Sequence, residues 1–387
     1  MNEQSSTKMS TEAIGPISDR DDETLFTAYK SVSRFSSLDG LRFICIFAVL
    51  WHHSPTVPFS PDTALILQRG FLGVDFFFVL SGFLITTLLL REETRNGRFS
   101  LVDFYWRRLL RIVPVYFFVV SAVAGYYVLL KGETEYAQLV PYYYLFLSNF
   151  LTGNIPTLAP TWSLAVEEQY YLIWPLLLLL LPRRTIPALL LAVIAVNVLG
   201  AMGVFSLIGI NPVDFGPLHI ALPNATYAPI LMGSGVAFLL NSRAGFNWLS
   251  RFLAHPFSPV PAFLLLLMVI QLAPPDLRGL PNLAIHLVMS ICLITLVIRD
   301  RNILTPILSW RPVARVGEIS YGIYLYHLIA LHFTKIGLDA TGLRDPWPLF
   351  IAYSLVSIMI AEISFRTLEA YFRRLKSRRP GRGRLDR

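Results

Sequence analysis

Apolar stretches long enough to cross a membrane recur along the whole chain, and they constrain its fold more than any other feature. The hydrocarbon core of a bilayer, about 30 Å thick, needs about 20 residues of helix. Of the 387 residues, 54% are hydrophobic and 15% are charged. The sequence therefore predicts an all-α fold, a polytopic membrane bundle of about ten transmembrane helices. The predicted spans lie near residues 38–54, 71–90, 112–130, 163–181, 186–208, 226–240, 258–272, 283–298, 319–335 and 347–366.

Positive charges are distributed unevenly between these spans. The segment after the second span is rich in arginine, whereas the segment after the third contains only Lys131. The arginines after the second span are Arg91, Arg95, Arg98, Arg107, Arg108 and Arg111. Because Lys and Arg accumulate in cytoplasmic loops, we expect the arginine-rich loops to face the cytoplasm. An even number of spans then places both termini there.

The two ends of the chain differ from its apolar middle. Residues 1–35 are rich in Ser, Thr, Asp and Glu, so we expect a disordered cytoplasmic tail rather than a cleavable signal. Residues 36–372 form the predicted membrane domain. Residues 373–387 are basic, which favours contact with anionic lipid headgroups over binding to nucleic acid.

The first span, "LDGLRFICIFAVLWHHS", contains Arg42 and His53. They lie eleven positions apart, and eleven steps of 100° end about 20° past three full turns, so both side chains share one helix face. They lie about 16 Å apart along the axis. Arg42 is then near the cytoplasmic edge and His53 near the outer edge. Snorkelling and interfacial capping would explain them, as would a functional face.

Other polar residues also lie inside the predicted spans. The second span contains Asp75 and Ser81, and the ninth contains Tyr324 and His327. An ionisable residue in a transmembrane helix is a candidate functional residue. The structural alternatives are that Asp75 pairs with a His or Arg of a neighbouring helix and that His327 is hydrogen-bonded within the bundle.

Two adjacent carboxylates, Glu167 and Glu168, lie at the start of the fourth span. Neighbouring residues on a helix point in different directions. At most one of them is therefore expected to take part in chemistry, and Glu168 is the candidate.

An arginine pair, Arg108 and Arg111, lies one turn apart at the cytoplasmic mouth of the third span. Anchoring to the inner membrane surface explains such a pair. Two guanidinium groups at this spacing also form a clamp for phosphates. A cytoplasmic donor with phosphates and a long arm, such as acyl-coenzyme A, would fit between these arginines and His53.

The remaining motifs indicate packing. Gly70, Gly73 and Gly82 suit close helix approach, because no strand precedes them and their spacing fits no nucleotide motif. Cys45 and Cys292 lie inside predicted spans and are interpreted as small packing residues, so no metal site is expected. The sequence has no Gly-x-Ser-x-Gly elbow, no His-x-x-x-His pair and no P-loop, which argues against a serine hydrolase, a metallohydrolase and an ATPase.

Six blocks between about residues 36 and 372 together resemble the acyltransferase-3 family of integral membrane O-acyltransferases, which includes O-antigen and peptidoglycan acetylases. Arg42 and His53 resemble the family's Arg/Lys-x10-His motif. The other five blocks follow in the family's order: "GVDFFFVLSGFL", "RRLLRIVPVY", "TWSLAVEEQYYLIWP", "SYGIYLYH" and "FRTLE".

The resemblance implies about ten helices in a bacterial inner membrane and no bound cofactor. It also implies an acyl-coenzyme A donor, with acetyl as the expected group, and an acceptor hydroxyl on an exported glycan or lipid-linked sugar. Arg42 and His53 would be required, and Arg108 and Arg111 would serve the donor.

The chemistry of the residues agrees with acyl transfer. His53 would deprotonate the acceptor hydroxyl or take the acyl group itself. Asp75 or Glu168 would orient the imidazole, with Ser81, Tyr324 and His327 in support. A transporter or flippase for a sugar-lipid is the alternative, although the two halves of the chain show no convincing internal repeat.

Overall fold

The computed structural model describes residues 19–56, 64–221, 227–342 and 345–375, and these are almost entirely helical. The first half comprises α1 (Asp19–Ser31), α2 (Leu38–His52), α3 (Leu65–Gln68), α4 (Leu72–Asn96), α5 (Leu101–Ala124, continued by a π-helical segment Gly125–Leu130), α6 (Val140–Tyr144), α7 (Thr161–Leu180), α8 (Ile186–Ala201) and α9 (Val204–Leu207). Short 3-10 segments at Thr134–Leu139, Ser148–Phe150 and Pro156–Leu158 lead into α6 and α7.

The second half begins with an antiparallel hairpin of β1 (Val213–Phe215) and β2 (Leu218–Ile220), in which Asp214 is paired with His219. It continues with α10 (Ala228–Asn241), α11 (Arg243–Leu253), α12 (Pro259–Leu272), α13 (Leu280–Val297), α14 (Thr305–Leu308), α15 (Arg311–Glu318), α16 (Ser320–Ala340), α17 (Pro346–Arg366) and α18 (Leu368–Arg374).

Each of the ten predicted spans coincides with a helix: α2, α4, α5, α7, α8, α10, α12, α13, α16 and α17. Within the described residues, four helical segments are long and apolar enough to cross a membrane. They are Leu72–Asn96, Leu101–Leu130, Leu280–Val297 and Pro346–Arg374, and α8, α10 and α12 are shorter apolar helices. The membrane character of the chain is therefore clear, while ten crossings and cytoplasmic termini remain predictions.

Helices α4 and α10 cross closely through glycines. A Cβ atom on Gly82 would lie 1.8 Å from the backbone oxygen of Ile230, and one on Gly233 would lie 1.9 Å from the backbone oxygen of Val79 in α4. A Cβ atom on Gly70 or Gly73 would lie 2.3 or 2.5 Å from a backbone oxygen of α2. The prediction that these glycines allow close helix approach is confirmed.

The N-terminal segment differs from the predicted disordered tail from Asp19 onwards. Residues 1–18 lie outside the described residues, but α1 is helical and packs on the bundle. Tyr29 and Phe35 are buried, and the guanidinium of Arg91 donates to the Tyr29 carbonyl at 2.8 Å. Burial raises the pKa of Tyr29 to about 12. Aromatic residues on one face thus anchor a segment whose overall composition is polar.

At the other end, the predicted basic tail begins inside α18, which includes Arg373 and Arg374. Residues 376–387 lie outside the described residues.

Candidate active site

A cavity of about 290 Å³ lies among α2, α4, α5, α7 and α16. Among the described residues, those that line the cavity include more positively than negatively charged side chains. Its charged lining residues are Arg34, Arg42, Arg91, Arg108, Arg111, Asp39 and Glu167. Five arginines against two carboxylates favour an anionic ligand.

The start of α2 places Arg42 in this cavity. Its Nη1 donates to Oδ1 of Asp39 at 2.9 Å, one turn earlier on the same helix. The other oxygen of Asp39 accepts from Arg34 at 2.5 Å, and this hydrogen bond raises the pKa of Arg34 above its ordinary value. One carboxylate thus holds two guanidinium groups, so the trio keeps a net positive charge.

Arg108 and Arg111 enter the cavity from α5, as their spacing predicted. The guanidinium carbon of Arg108 lies 4.5 Å from the centre of the Tyr171 ring. Arg111 is exposed to the cavity. In the described part of the chain, neither guanidinium has a hydrogen-bonded or ion-paired carboxylate. Both are therefore available to an anion.

The cavity wall on α7 is formed by Ser163, Glu167 and Tyr171, which are spaced by four residues and share one helix face. The hydroxyl of Ser81 on α4 donates to Oε1 of Glu167 at 2.6 Å. Glu168 does not line this cavity. The carboxylate that α7 contributes to the cavity is therefore Glu167 rather than the predicted Glu168. The spacing of Ser163, Glu167 and Tyr171 was the available signal.

Tyr324 of α16 lines the cavity. Its hydroxyl donates to the Pro160 carbonyl at 2.9 Å and lies 2.7 Å from the hydroxyl of Ser163. The Tyr324 ring is 5.5 Å from the ring of His327, measured between centroids. His327, one turn later on α16, is fully buried behind it.

His53 lies against His327 and does not line the cavity. Nδ1 of His53 is 3.0 Å from the Val49 carbonyl oxygen, and Nδ1 of His327 is 2.6 Å from the Tyr324 carbonyl oxygen. Because a carbonyl only accepts, both Nδ1 atoms must carry the proton. Each Nε2 atom is then left with a free lone pair, and that of His327 has no hydrogen-bond partner among the described residues.

The sequence analysis predicted that Asp75 or Glu168 orients His53, but Asp75 is paired with a different histidine. Its Oδ2 lies 2.9 Å from Nε2 of His286, a buried residue of α13. This is the structural alternative considered for Asp75, a pairing with a histidine of a neighbouring helix. His286 could not be identified as the partner from the sequence, because the two residues lie 211 positions apart.

Comparison of the chain with protein families shows which family it belongs to. A family model described as an acyltransferase domain matches residues 35–364. The chain belongs to the acyltransferase-3 family. Residues 35–364 therefore form a domain of this acyltransferase family, as the resemblance implied, and membership gives no support to the transporter alternative.

Curated relatives of this acyltransferase are named as O-acetyltransferases. The chain is 29% identical to peptidoglycan O-acetyltransferase OatA of Listeria monocytogenes over 89% of its own length and 57% of the relative. It is 26% identical to O-acetyltransferase OatA of Staphylococcus aureus over 87% and 57%. A putative O-acetyltransferase of Staphylococcus aureus is also 26% identical, over 90% and 59%. The chain thus spans less than two thirds of these relatives. No solved structure shows a significant match.

Proposed function

We propose that this membrane acyltransferase moves an acetyl group from cytoplasmic acyl-coenzyme A to a hydroxyl of an exported glycan, either peptidoglycan or a lipid-linked sugar. One observation carries the proposal. An arginine-rich cavity is lined by Tyr324, whose ring contacts that of His327, and His327 in turn contacts His53. The names of the relatives support acetyl as the group and a glycan as the acceptor.

The donor would enter at the arginine end. Arg108 and Arg111 have no carboxylate partner in the described structure and would bind its phosphates through charge-assisted hydrogen bonds. Arg42 would add a third positive charge, held in position by Asp39. The thioester at the end of the donor's arm would then lie toward Tyr324.

His53 would act as the general base. Its Nε2 would take the proton from the acceptor hydroxyl as the hydroxyl oxygen attacks the thioester carbonyl. Collapse of the tetrahedral intermediate breaks the C–S bond, and the imidazolium returns its proton to the leaving thiolate. In the covalent variant, Nε2 itself attacks the thioester carbonyl, and the C–S bond breaks to release the thiolate. The acceptor hydroxyl then attacks the acyl-imidazole, the C–N bond breaks, and the hydroxyl proton passes to the thiolate.

Tyr324 must move for this reaction to occur. It separates the cavity from His327 and His53 through its contacts with Ser163 and Pro160. Rotation of its side chain would join the donor cavity to the histidines. Binding of the donor arm would supply the free energy for this change.

Comparison of surface glycans by mass spectrometry tests the proposal. The strains are cells lacking the chain and the same cells with wild type, His53→Ala or His255→Ala. His255 is exposed and does not line the cavity, so it controls for loss of a histidine. We expect the acetyl increment with wild type and His255→Ala only. An unchanged acetyl pattern across all strains would refute the proposal.

A further inference from the structure

Helix α11 connects two apolar helices, α10 and α12, and only Ser242 separates it from α10. It packs against α1, because the ring centroid of Phe246 lies 5.1 Å from that of Phe26 and 5.4 Å from that of Tyr29. Helix α1 precedes the start of α2, where Arg42 lies. These contacts place α11 at the end of the bundle that is predicted to face the cytoplasm.

Apolar side chains occupy both faces of α11. Phe246 and Leu249 on the inner face are buried. On the opposite face, Trp248 is 59% exposed and Phe252 is 69% exposed, with their ring centroids 6.1 Å apart. A helix that lies between a protein core and water presents polar residues on its outer face. The outer face of α11 therefore fits a second apolar environment better than it fits water.

A positive charge lies on this same outer face. Arg251 is exposed, and it follows Trp248 by three positions on the helix, a spacing at which side chains are neighbours. Among the described residues, no carboxylate or other acceptor is bonded to it. Tryptophan rings and arginine side chains together favour the boundary between lipid acyl chains and headgroups.

We propose that α11 lies in the plane of the cytoplasmic membrane surface and binds anionic phospholipids there. Trp248 and Phe252 would enter the boundary between headgroups and acyl chains, and the guanidinium of Arg251 would contact a headgroup phosphate. No residue of α11 lines the cavity described above. The lipid contact is therefore separate from the candidate active site and does not depend on acyl transfer.

The exposed apolar surface continues beyond α11, as expected for contact with a membrane. Phe257, between α11 and α12, is exposed, and so are Ile307 in α14 and Trp310 just after it. The backbone N–H of Ile303 donates to the Pro256 carbonyl at 3.0 Å, so the segments before α12 and before α14 are adjacent. A lipid surface covers such a band, and the apolar helices on either side of α11 continue into that lipid.

Fluorescence of the full-length chain in lipid nanodiscs tests the depth of α11. Trp248→Phe removes one indole, so the difference between wild type and this variant isolates the emission of Trp248. The nanodiscs contain phosphatidylcholine with bromine either near the headgroup end or near the methyl end of its acyl chains. We expect the shallow bromine to quench Trp248 strongly and the deep bromine to quench it weakly.

Two fluorescence results would overturn the proposal. Absence of quenching by either lipid would place the outer face of α11 in water or beneath a protein partner. Stronger quenching by the deep bromine would place Trp248 in the hydrocarbon core, where an in-plane helix does not reach.

Thermal unfolding in nanodiscs with and without phosphatidylglycerol tests the anionic headgroup. Phosphatidylglycerol should raise the unfolding midpoint of wild type, and the rise should be smaller for Arg251→Ala. Arg251→Lys should keep the full rise, because it retains the charge that attracts anionic lipid.

Arg278→Ala is the matched control. Arg278 is also exposed, but it lies between α12 and α13, at the opposite end of α12 from α11. This variant should show the same rise as wild type. An equal rise for wild type and Arg251→Ala would overturn the binding of anionic lipid at α11.

Discussion

The imidazole of His327 lies against that of His53, with ring centroids 4.8 Å apart and planes at 63°. Each ring donates from Nδ1 to a backbone carbonyl of its own helix. His53 directly follows α2, and His327 lies in α16. Their hydrogen bonds to backbone carbonyls hold both rings in orientations that leave Nε2 free. A hydroxyl or a proton is needed to satisfy these lone pairs.

His327→Ala should reduce the rate of acyl transfer by about ten- to a hundredfold, because His53 would lose the imidazole that packs against its ring. Donor KM should stay constant, since His327 lies outside the cavity. Steady-state kinetics measures both constants. His332→Ala, five residues later on the same helix, is the control, and a fall of the same size in it would contradict the role of His327.

Arg111→Ala should raise the donor KM by about tenfold with little change in kcat, because one charge-assisted phosphate contact is lost. Arg111→Lys should recover only part of the affinity, since an ammonium lacks the guanidinium fork. Arg107→Ala is the control, because Arg107 pairs with Glu92 and does not line the cavity. An unchanged donor KM for folded Arg111→Ala would show that Arg111 does not bind the phosphates of the donor.

Glu167→Gln and Glu168→Gln separate two adjacent carboxylates. We expect Glu167→Gln to lower transfer about tenfold or more, because Glu167 lines the cavity and accepts from Ser81. Glu168→Gln should have the smaller effect. Initial rates of both variants at equal protein amounts are the measurement, and the reverse order would restore the sequence-based choice of Glu168.

Gly233→Ala should lower the free energy of unfolding, because the new methyl would collide with the backbone of α4. The decrease should exceed the usual cost of overpacking, about 1–3 kcal/mol. Gly235→Ala is a matched control on the same helix, where a Cβ meets nothing within 4 Å. Thermal unfolding in detergent should show a lower midpoint for Gly233→Ala alone. Equal midpoints for the two variants would contradict the close α4–α10 crossing.

Features that depend on one helix could be predicted from the sequence. Hydropathy located the ten helices. The spacing of Arg108 and Arg111 predicted that both would point the same way, and both line the cavity. Local composition and period contain this information.

Features that depend on two distant helices could not be predicted. Asp75 and His286 meet across 211 residues, and Ser81 reaches Glu167 across 86. A sequence read one helix at a time identifies polar candidates but not their partners. The packing of α1 was missed for a related reason, since Tyr29 is buried by contacts with other helices rather than by its local composition.

The proposed function requires an acyl group to pass from the arginine end of the bundle to the His53 end. Inside-out membrane vesicles, with the predicted cytoplasmic side outward, can be given acetyl-labelled acetyl-coenzyme A while the glycan acceptor is inside. We expect label on the enclosed glycan with wild type and none with His53→Ala at equal protein amounts. Equal labelling by wild type and His53→Ala would contradict it.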